Sequence, residues 1–188
     1  MPTPSEKTEE EKKDEEEEFE EEDAEEENGD AEEEEKPKKK KKIRFIKSKM
    51  IGGAGGDAFD DGNHRKVVKI TAWSDAILRG VKMGYENGDT DLHGNEDGKM
   101  HEIELPEGQY INKVGIVAND EIVLKVTFWT NTGDEVGRFG REGGRMMKDK
   151  KGEETILTAP RNMQLCGLFG TAGSLIDGLG CRWGSLRK

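Results

Sequence analysis

The sequence predicts an all-β domain that follows a charged N-terminal tail. Three observations lead to this prediction. After residue 43, short segments alternate apolar with polar residues, clusters of Gly, Asn and Asp separate them, and no stretch shows the apolar spacing of an amphipathic helix. About ten to twelve strands at intervals of roughly 8–12 residues are typical of a sandwich, a barrel or a prism. Composition by itself does not choose among these three.

The N-terminal tail, residues 1–42, differs from the rest in its charge. It holds 21 acidic residues and 9 lysines, so its net charge of −12 equals that of the whole 188-residue chain, and residues 43–188 carry 21 charges of each sign. Phe19 is its one aromatic residue. Ordering the backbone costs roughly 1–2 kcal/mol per residue, and the tail has little apolar surface to bury in return. We therefore predict a disordered tail over 1–42 and a folded domain over 43–188.

The tail suggests several functions. Its basic end, Lys36 to Arg44, resembles a nuclear import signal or an anion-binding stretch. The acidic block is suited to binding basic proteins such as histones or to binding calcium diffusely. It would also be able to fold back over the lysine run, or simply keep the protein soluble. Partners of the tail are therefore expected among basic proteins or the import machinery.

The sequence also bears on the compartment. No apolar run reaches the roughly 18–20 residues of a membrane-spanning helix, and the first residues lack the apolar core of a signal peptide. If residue 1 is the true start, we expect a cytoplasmic or nuclear protein, with unconventional secretion left open. Cys166 and Cys181 are too few for a disulfide framework, and buried reduced thiols fit such a compartment. A single bridge between them also stays open.

The predicted strands follow one another closely. Residues 43–51 are expected to form the first strand, and a glycine-rich stretch follows it. Within residues 121–130, alternation assigns Ile122, Leu124, Val126 and Phe128 to one face, which we expect to be the core face. The other predicted strands are 67–73, 76–86, 101–105, 110–118, 154–159, 163–169 and 179–183.

The glycine-rich stretch, GGAGGDAFDDG at residues 52–62, allows three interpretations. Its Gly53-x-Gly55-x-x-Ala58 spacing fits a dinucleotide-binding fingerprint loosely, but that fingerprint requires a helix after it, and a strand is predicted here. A flexible turn is the second interpretation. The third is a loop at which a ligand approaches the backbone, because glycine leaves the amides uncovered.

A second candidate segment lies between the strands predicted at 163–169 and 179–183. It reads Gly173-Ser174-Leu175-Ile176-Asp177, and an ordinary hairpin loop would explain it. The alternative is a sugar clamp, because a carboxylate accepts hydrogen bonds from two adjacent hydroxyls while neighbouring amides donate to sugar oxygens. One short loop would supply both kinds of group.

Catalytic signatures are missing from the sequence. The three histidines show no metal-ligand spacing, and no Ser-, Cys- or His-based nucleophile motif is present. The sequence therefore predicts a protein that is not an enzyme, with no cofactor and no metal.

Four segments, in this order, resemble the jacalin-related lectins. They are GGAGGDAFDDG, the strand pair YINKVGIVA and EIVLKVTFWT with its Thr-Asn-x-Gly turn, the following Gly-x-Phe-Gly, and FGTAGSLIDGLG. The resemblance covers residues 43–188, and the Leu-Ile-Asp-Gly-Leu-Gly ending is most similar to animal members of the zymogen-granule type. It implies a β-prism I fold, with three four-stranded Greek-key sheets in pseudo-threefold symmetry and with both ends of the domain meeting at one sugar site.

The resemblance also implies which residues bind the sugar. The backbone amides of Gly56, Ser174 and Leu175 would donate to sugar hydroxyls, and the Asp177 carboxylate would accept from two of them. The implied carbohydrate-binding set is Gly55, Gly56, Gly173, Ser174, Leu175 and Asp177, with Asn119 and Asp120 as auxiliary contacts.

The closing loop also favours one class of sugar. Plant members of the family often carry there an aromatic side chain on which galactose stacks, whereas Ser174 and Leu175 occupy those positions here. We therefore expect mannose- or glucose-type glycans, including those of glycoproteins. Anionic glycans stay open because of three basic residues, Lys47, Lys49 and Arg65, although Asp57 lies in the loop itself.

Two further expectations concern assembly and an alternative function. A shallow site of a few hydrogen bonds binds one monosaccharide weakly, so a homo-oligomer or a multivalent glycan would be needed for avidity. The alternative function is a jacalin-fold scaffold without sugar binding, whose charged tail mediates nuclear, basic-protein or calcium and mineral interactions.

Overall fold

The computed structural model describes residues 43–141 and 152–186, and within these ranges every regular element is a β-strand. The predictions for the tail, residues 1–42, including its boundary with the domain, lie outside the described residues. No helix in the described ranges is long and apolar enough to cross a membrane. The fourteen strands are β1 Phe45–Lys47, β2 Ile51–Gly52, β3 Asp57–Asp60, β4 Val67–Ser74, β5 Leu78–Tyr85, β6 Gly88–Asp89, β7 His93–Gly94, β8 Lys99–Glu104, β9 Ile111–Ala118, β10 Val123–Thr130, β11 Glu135–Gly140, β12 Glu153–Thr158, β13 Met163–Ala172 and β14 Ile176–Ser185.

The strands form three antiparallel sheets. Their orders are β1-β14-β13-β3, β6-β5-β4-β8 and β11-β10-β9-β12, with the two-residue strands β2 and β7 added on β14 and β5. In the second and third sheets, three consecutive strands lie side by side and the fourth returns beside the first, which is the Greek-key order. The predicted β-prism of three four-stranded sheets is therefore confirmed.

The first sheet completes the same order with strands from both ends of the domain. The last two strands, β13 and β14, form a hairpin at the end of the domain. Strands β3 and β1, from its beginning, pair with the two outer edges of this hairpin. This arrangement brings the glycine-rich stretch and the closing loop to the same end of one sheet.

The core lies between the inner faces of the three sheets. Each sheet contributes β-branched or leucine side chains with no exposed surface, as expected for strands whose alternating residues face inward. Members of this core that are fully buried include Ile70, Val81, Val114, Val126, Leu168 and Leu179.

Strand β10 departs from the predicted alternation. A β-bulge lies between Val123 and Lys125, so Val123 joins Val126 in the main core and Leu124 turns away from it. The prediction that Leu124 shares a face with Val126 is therefore wrong, because the extra residue of a bulge reverses the alternation. Leu124 belongs instead to a satellite cluster of three buried residues, Ile77, Val117 and Leu124.

The two cysteines lie on the neighbouring strands β13 and β14 as free, buried thiols. Cys181 is opposite Leu168, and a bulge between Leu165 and Gly167 removes Cys166 from the paired register. The disulfide that the sequence leaves open is not formed. Burial raises the pKa of Cys166 to about 12, and it also raises the pKa of Cys181, because a thiolate is disfavoured away from water.

A buried carboxylate joins the beginning of the domain to its second sheet. The Asp61 side chain has no exposed surface; it accepts hydrogen bonds from Tyr85 Oη at 2.9 Å and from the Leu168 amide at 3.0 Å, and it lies 2.7 Å from His93 Nε2. Burial, followed by the nearby Asp61 charge, raises the pKa of Tyr85 well above its usual range. These three contacts fix the position of the segment that follows β3.

Candidate functional site

The glycine loop, residues 53–56, runs between β2 and β3. The predicted loop over 52–62 is thus shorter, because residues 57–60 form β3. The Gly53 amide donates to the Asp177 carbonyl at 2.8 Å, and a Cβ added to Gly53 would lie 2.7 Å from the Glu121 carbonyl carbon. The loop therefore lies between β14 and the β9–β10 hairpin. A side chain at Gly53 would prevent this close approach.

The closing loop, residues 173–175, is also shorter than predicted. Strand β13 ends at Ala172 and β14 begins at Ile176, so Asp177 is the second residue of a strand rather than part of a loop. The Gly173 amide donates to the Leu175 carbonyl at 2.9 Å, and the Leu175 side chain packs against the satellite cluster. The loop is therefore held by β14, which follows it, and by the packing of Leu175 on the satellite cluster.

The two loops converge as the resemblance implied. A Cβ added to Gly55 would lie 3.3 Å from Asp177 Cγ, and one added to Gly173 would lie 3.7 Å from Gly56 Cα and 4.0 Å from Asp177 Oδ2. Gly56 itself has φ of +65°, a conformation that favours glycine. Residues from the two ends of the domain thus surround one carboxylate.

The polar groups at this point are largely unused within the protein. Among the hydrogen bonds and ion pairs of the described residues, none involves the Asp177 carboxylate or the amides of Gly56, Ser174 and Leu175. The Gly173 amide, in contrast, is already donated within the loop. Asp177 is partly exposed and Ser174 is exposed, so a carboxylate acceptor and three amide donors are available to a polyhydroxylated ligand.

The turn between β9 and β10 lies beside the glycine loop, against Gly53. Asn119 Oδ1 accepts hydrogen bonds from the Glu121 and Ile122 amides at 2.9 and 2.8 Å, and its Nδ2 is buried. Asn119 thus shapes the turn, whereas Asp120 is exposed. A cavity of about 360 Å³ lies beside this turn, lined by Ile51, Ala118, Asn119, Asp120, Glu153 and Thr155.

Two of the three basic residues considered for anionic glycans lie elsewhere. Lys47 Nζ is 2.8 Å from Asp60 Oδ2, at the end of β3 opposite Asp57. Arg182 pairs with the same carboxylate. The Arg182 guanidinium, with a further contribution from Lys47, holds the pKa of Asp60 well below its usual range. The Arg65 amide bonds to Asn87, beyond the end of β5 at Tyr85.

One contact of the candidate site was not anticipated from the sequence. Asn95 lies in a His-Gly-Asn cluster of the kind that separates the predicted strands, and it donates from Nδ2 to the Ser174 carbonyl at 2.6 Å. The two residues are 79 positions apart, so no local pattern would have indicated this contact. Within the described ranges, no group of three or more His, Cys, Asp or Glu side chains is placed to hold a metal ion.

Comparison with known proteins decides the family. Residues 48–182 match the family model of the jacalin-like lectin domain. The chain belongs to this family. Among similar proteins of Arabidopsis thaliana, jacalin-related lectin 32 is 30% identical in a 145-position alignment that covers 69% of this chain and 44% of that protein. Jacalin-related lectin 9 is 28% identical in a 154-position alignment that covers 74% of this chain and 46% of that protein. The chain thus spans less than half the length of these relatives.

Solved structures of jacalin-like lectins share the fold. Wild-type Malaysian banana lectin superimposes with a TM-score of 0.64 at 25% identity, over 76% of this chain and 100% of the lectin. A mannose-binding jacalin-related lectin from Ananas comosus gives a TM-score of 0.63 at 22% identity, over 76% of this chain and 99% of that one. Artocarpin, described as a lectin with mannose specificity, gives a TM-score of 0.63 at 24% identity, over 76% of this chain and 99% of artocarpin. The similarity to the animal zymogen-granule type stays a prediction.

Proposed function

We propose that this jacalin-like domain is a lectin that binds mannose- or glucose-type glycans where the glycine loop meets the closing loop. One observation carries the proposal: Gly55 and Gly173 lie beside the Asp177 carboxylate, Gly56 packs against Gly173, and no described residue engages that carboxylate. A buried or half-buried carboxylate normally has partners, so an unengaged one beside free amides is suited to a ligand.

The geometry suggests how a hexose would be held. The two oxygens of Asp177 would accept from adjacent sugar hydroxyls, and the amides of Gly56, Ser174 and Leu175 would donate to sugar oxygens. Such charge-assisted and backbone bonds suit a neutral ligand with closely spaced hydroxyls. Because each bond contributes roughly 0.5–1.5 kcal/mol, we expect sub-millimolar to millimolar affinity for one monosaccharide.

Two facts support mannose or glucose over galactose. The exposed positions of the closing loop, Gly173 and Ser174, provide no aromatic ring for stacking, and the Leu175 side chain packs against the satellite cluster. In addition, artocarpin and the Ananas comosus lectin are described as mannose-specific and mannose-binding. Hydrogen bonding, rather than stacking, would then determine which sugar binds.

A glycan array tests the proposal directly. The wild-type protein should bind mannose- or glucose-terminated glycans, and Asp177→Ala should abolish this binding with an unchanged circular dichroism spectrum. Asp91→Ala provides the matched control, because it removes an exposed carboxylate outside the candidate site and should leave binding intact.

Two results would contradict the proposal. Equal glycan binding by the wild type and Asp177→Ala would exclude this site. If the wild type bound no glycan, the alternative of a scaffold without sugar binding would take its place. Deletion of residues 1–42 would then test that alternative, since loss of localisation or of partner binding would locate the function in the tail.

A further inference from the structure

We propose that Asn95 is a positioning residue for sugar binding, which orients the Leu175 amide through its hydrogen bond to Ser174. The inference rests on the proposed function but concerns a residue from a different sheet. Asn95 directly follows β7, which pairs with β5 in the second sheet, whereas the closing loop belongs to the first. The second sheet would thus help to form a site otherwise made by the two ends of the domain.

The Asn95 side chain is fixed at both of its polar atoms. Its Nδ2 donates to the Ser174 carbonyl at 2.6 Å, and its Oδ1 accepts from the Asp97 amide at 3.0 Å. Because the oxygen already has a donor, the amide group has one orientation that satisfies both bonds. The nitrogen is therefore held toward the closing loop.

This bond acts on the peptide unit that carries a predicted sugar donor. The Ser174 carbonyl and the Leu175 amide belong to one planar trans unit, in which C=O and N–H point in opposite directions. When Asn95 holds the carbonyl, the direction of the Leu175 N–H is fixed as well. A hydrogen bond to the carbonyl also polarises the unit and strengthens the N–H as a donor.

The backbone of Asn95 is held independently of the closing loop. Its amide donates to the Arg79 carbonyl at 3.0 Å, and a Cβ added to Gly80 would lie 3.1 Å from its nitrogen and would overlap its carbonyl. Two residues earlier, His93 contacts the buried Asp61 and stacks on Phe59 with ring centroids 3.8 Å apart. The Asn95 donor is thus placed by the second sheet before any ligand binds.

The closing loop is suited to such external support. It has three residues, two of them exposed, and its internal bond joins Gly173 to Leu175 without restraining the Ser174 carbonyl. The Leu175 side chain packs against the satellite cluster, and Asn95 holds the carbonyl of the preceding residue, Ser174. Preorganisation of this kind lowers the entropy lost when a ligand orders its site.

The test compares Asn95→Asp and Asn95→Ala with Asn87→Asp. Asn95→Asp retains the acceptor for Asp97 and removes the donor to Ser174. Asn87→Asp adds the same charge to a residue that also bonds a backbone amide, that of Arg65, beyond the other end of β5. Affinity for methyl α-mannoside is measured by calorimetric titration, with the melting temperature of each variant. Both Asn95 variants should bind roughly tenfold more weakly, as expected for the loss of one well-oriented hydrogen bond, and Asn87→Asp should bind as the wild type does.

A second measurement separates positioning from a general structural effect. In the sugar-free protein, both Asn95 variants should shift the Leu175 amide resonance in a 1H–15N spectrum and speed its exchange with water, with little change in the resonances of the core strands. Unchanged affinity or an unchanged Leu175 resonance would overturn this inference while leaving the proposed function intact. If the wild type failed to bind the sugar, the proposed function and the role of Asn95 in it would both be overturned.

Discussion

Gly56 and Gly173 lie so close together that a Cβ added to Gly56 would be 2.6 Å from the Gly173 amide nitrogen. The two residues are at opposite ends of the domain sequence, and β3 beside β13 brings them together through the pair Asp57 and Ala172. This contact sets the spacing of the two loops, and it has a direct consequence for substitution.

Gly56→Ala should destabilise the domain and impair glycan binding. Gly56 has φ of +65° and no space for a methyl group, so the substitution combines conformational strain with a steric clash. Gly62→Ala is the matched control, because Gly62 has φ of +83° but nothing within 4 Å of the added Cβ. We expect a loss of roughly 1–2 kcal/mol for Gly62→Ala and a larger one for Gly56→Ala, measured by urea unfolding. Equal losses would show that the loops are free to separate.

Asp61→Ala should be far more harmful than Asp60→Ala, although the two residues are adjacent. Asp61 is fully buried, and its removal leaves Tyr85 and the Leu168 amide without their acceptor. We expect a loss of roughly 3–5 kcal/mol for Asp61→Ala and less than about 1 kcal/mol for Asp60→Ala, whose ion pairs are partly exposed. Chemical denaturation of both variants checks this order, and similar midpoints would contradict it.

The contribution of Asp60 to stability should depend on pH. Its pKa in the folded protein is held below the usual 3.8, chiefly by Arg182, so its ionised form is stabilised by folding. The resulting stability is present above the unfolded pKa and is lost as pH falls through the folded pKa. The midpoint difference between the wild type and Asp60→Asn should therefore be smaller near pH 3 than near pH 7. A difference that grows on acidification would exclude this ion pair as its source.

The thiols of Cys166 and Cys181 should be unreactive in the folded protein. Burial raises the pKa of Cys166 to about 12 and disfavours the thiolate of Cys181 as well, so little nucleophilic thiolate exists at neutral pH. A colorimetric thiol assay should detect almost no fast-reacting thiol in buffer and two thiols per chain in denaturant. Rapid reaction under native conditions would show that β13 and β14 open readily.

The strands were predictable because their signal is local. Alternation of apolar and polar residues marked β4, β8 and β9 within a few residues of their ends. Where the backbone breaks this period, the prediction was wrong: the bulge beside Val123 moves Leu124 into the satellite cluster. A bulge depends on how two strands pair, so the sequence of one strand does not reveal it.

The candidate site was predictable only in part. Glycines and an aspartate in two short segments indicated the residues that converge, and the resemblance to the jacalin-related lectins indicated that they meet. That Asn119 shapes a turn, that the Gly173 amide is already used and that Asn95 supports Ser174 depend on three-dimensional proximity.

Residue order alone was enough to predict most of the longer strands, although not β3, and to place the net charge of the chain in residues 1–42. Both follow from local properties, the period of side-chain burial and the count of ionised groups. Folding, by contrast, makes Asp61 a buried anchor and Asp60 part of a surface ion pair, and it leaves Asp177 unengaged between two glycine-bearing loops. The physical reason is that burial and hydrogen-bond partners depend on neighbours distant in the chain, which the three-sheet closure brings together.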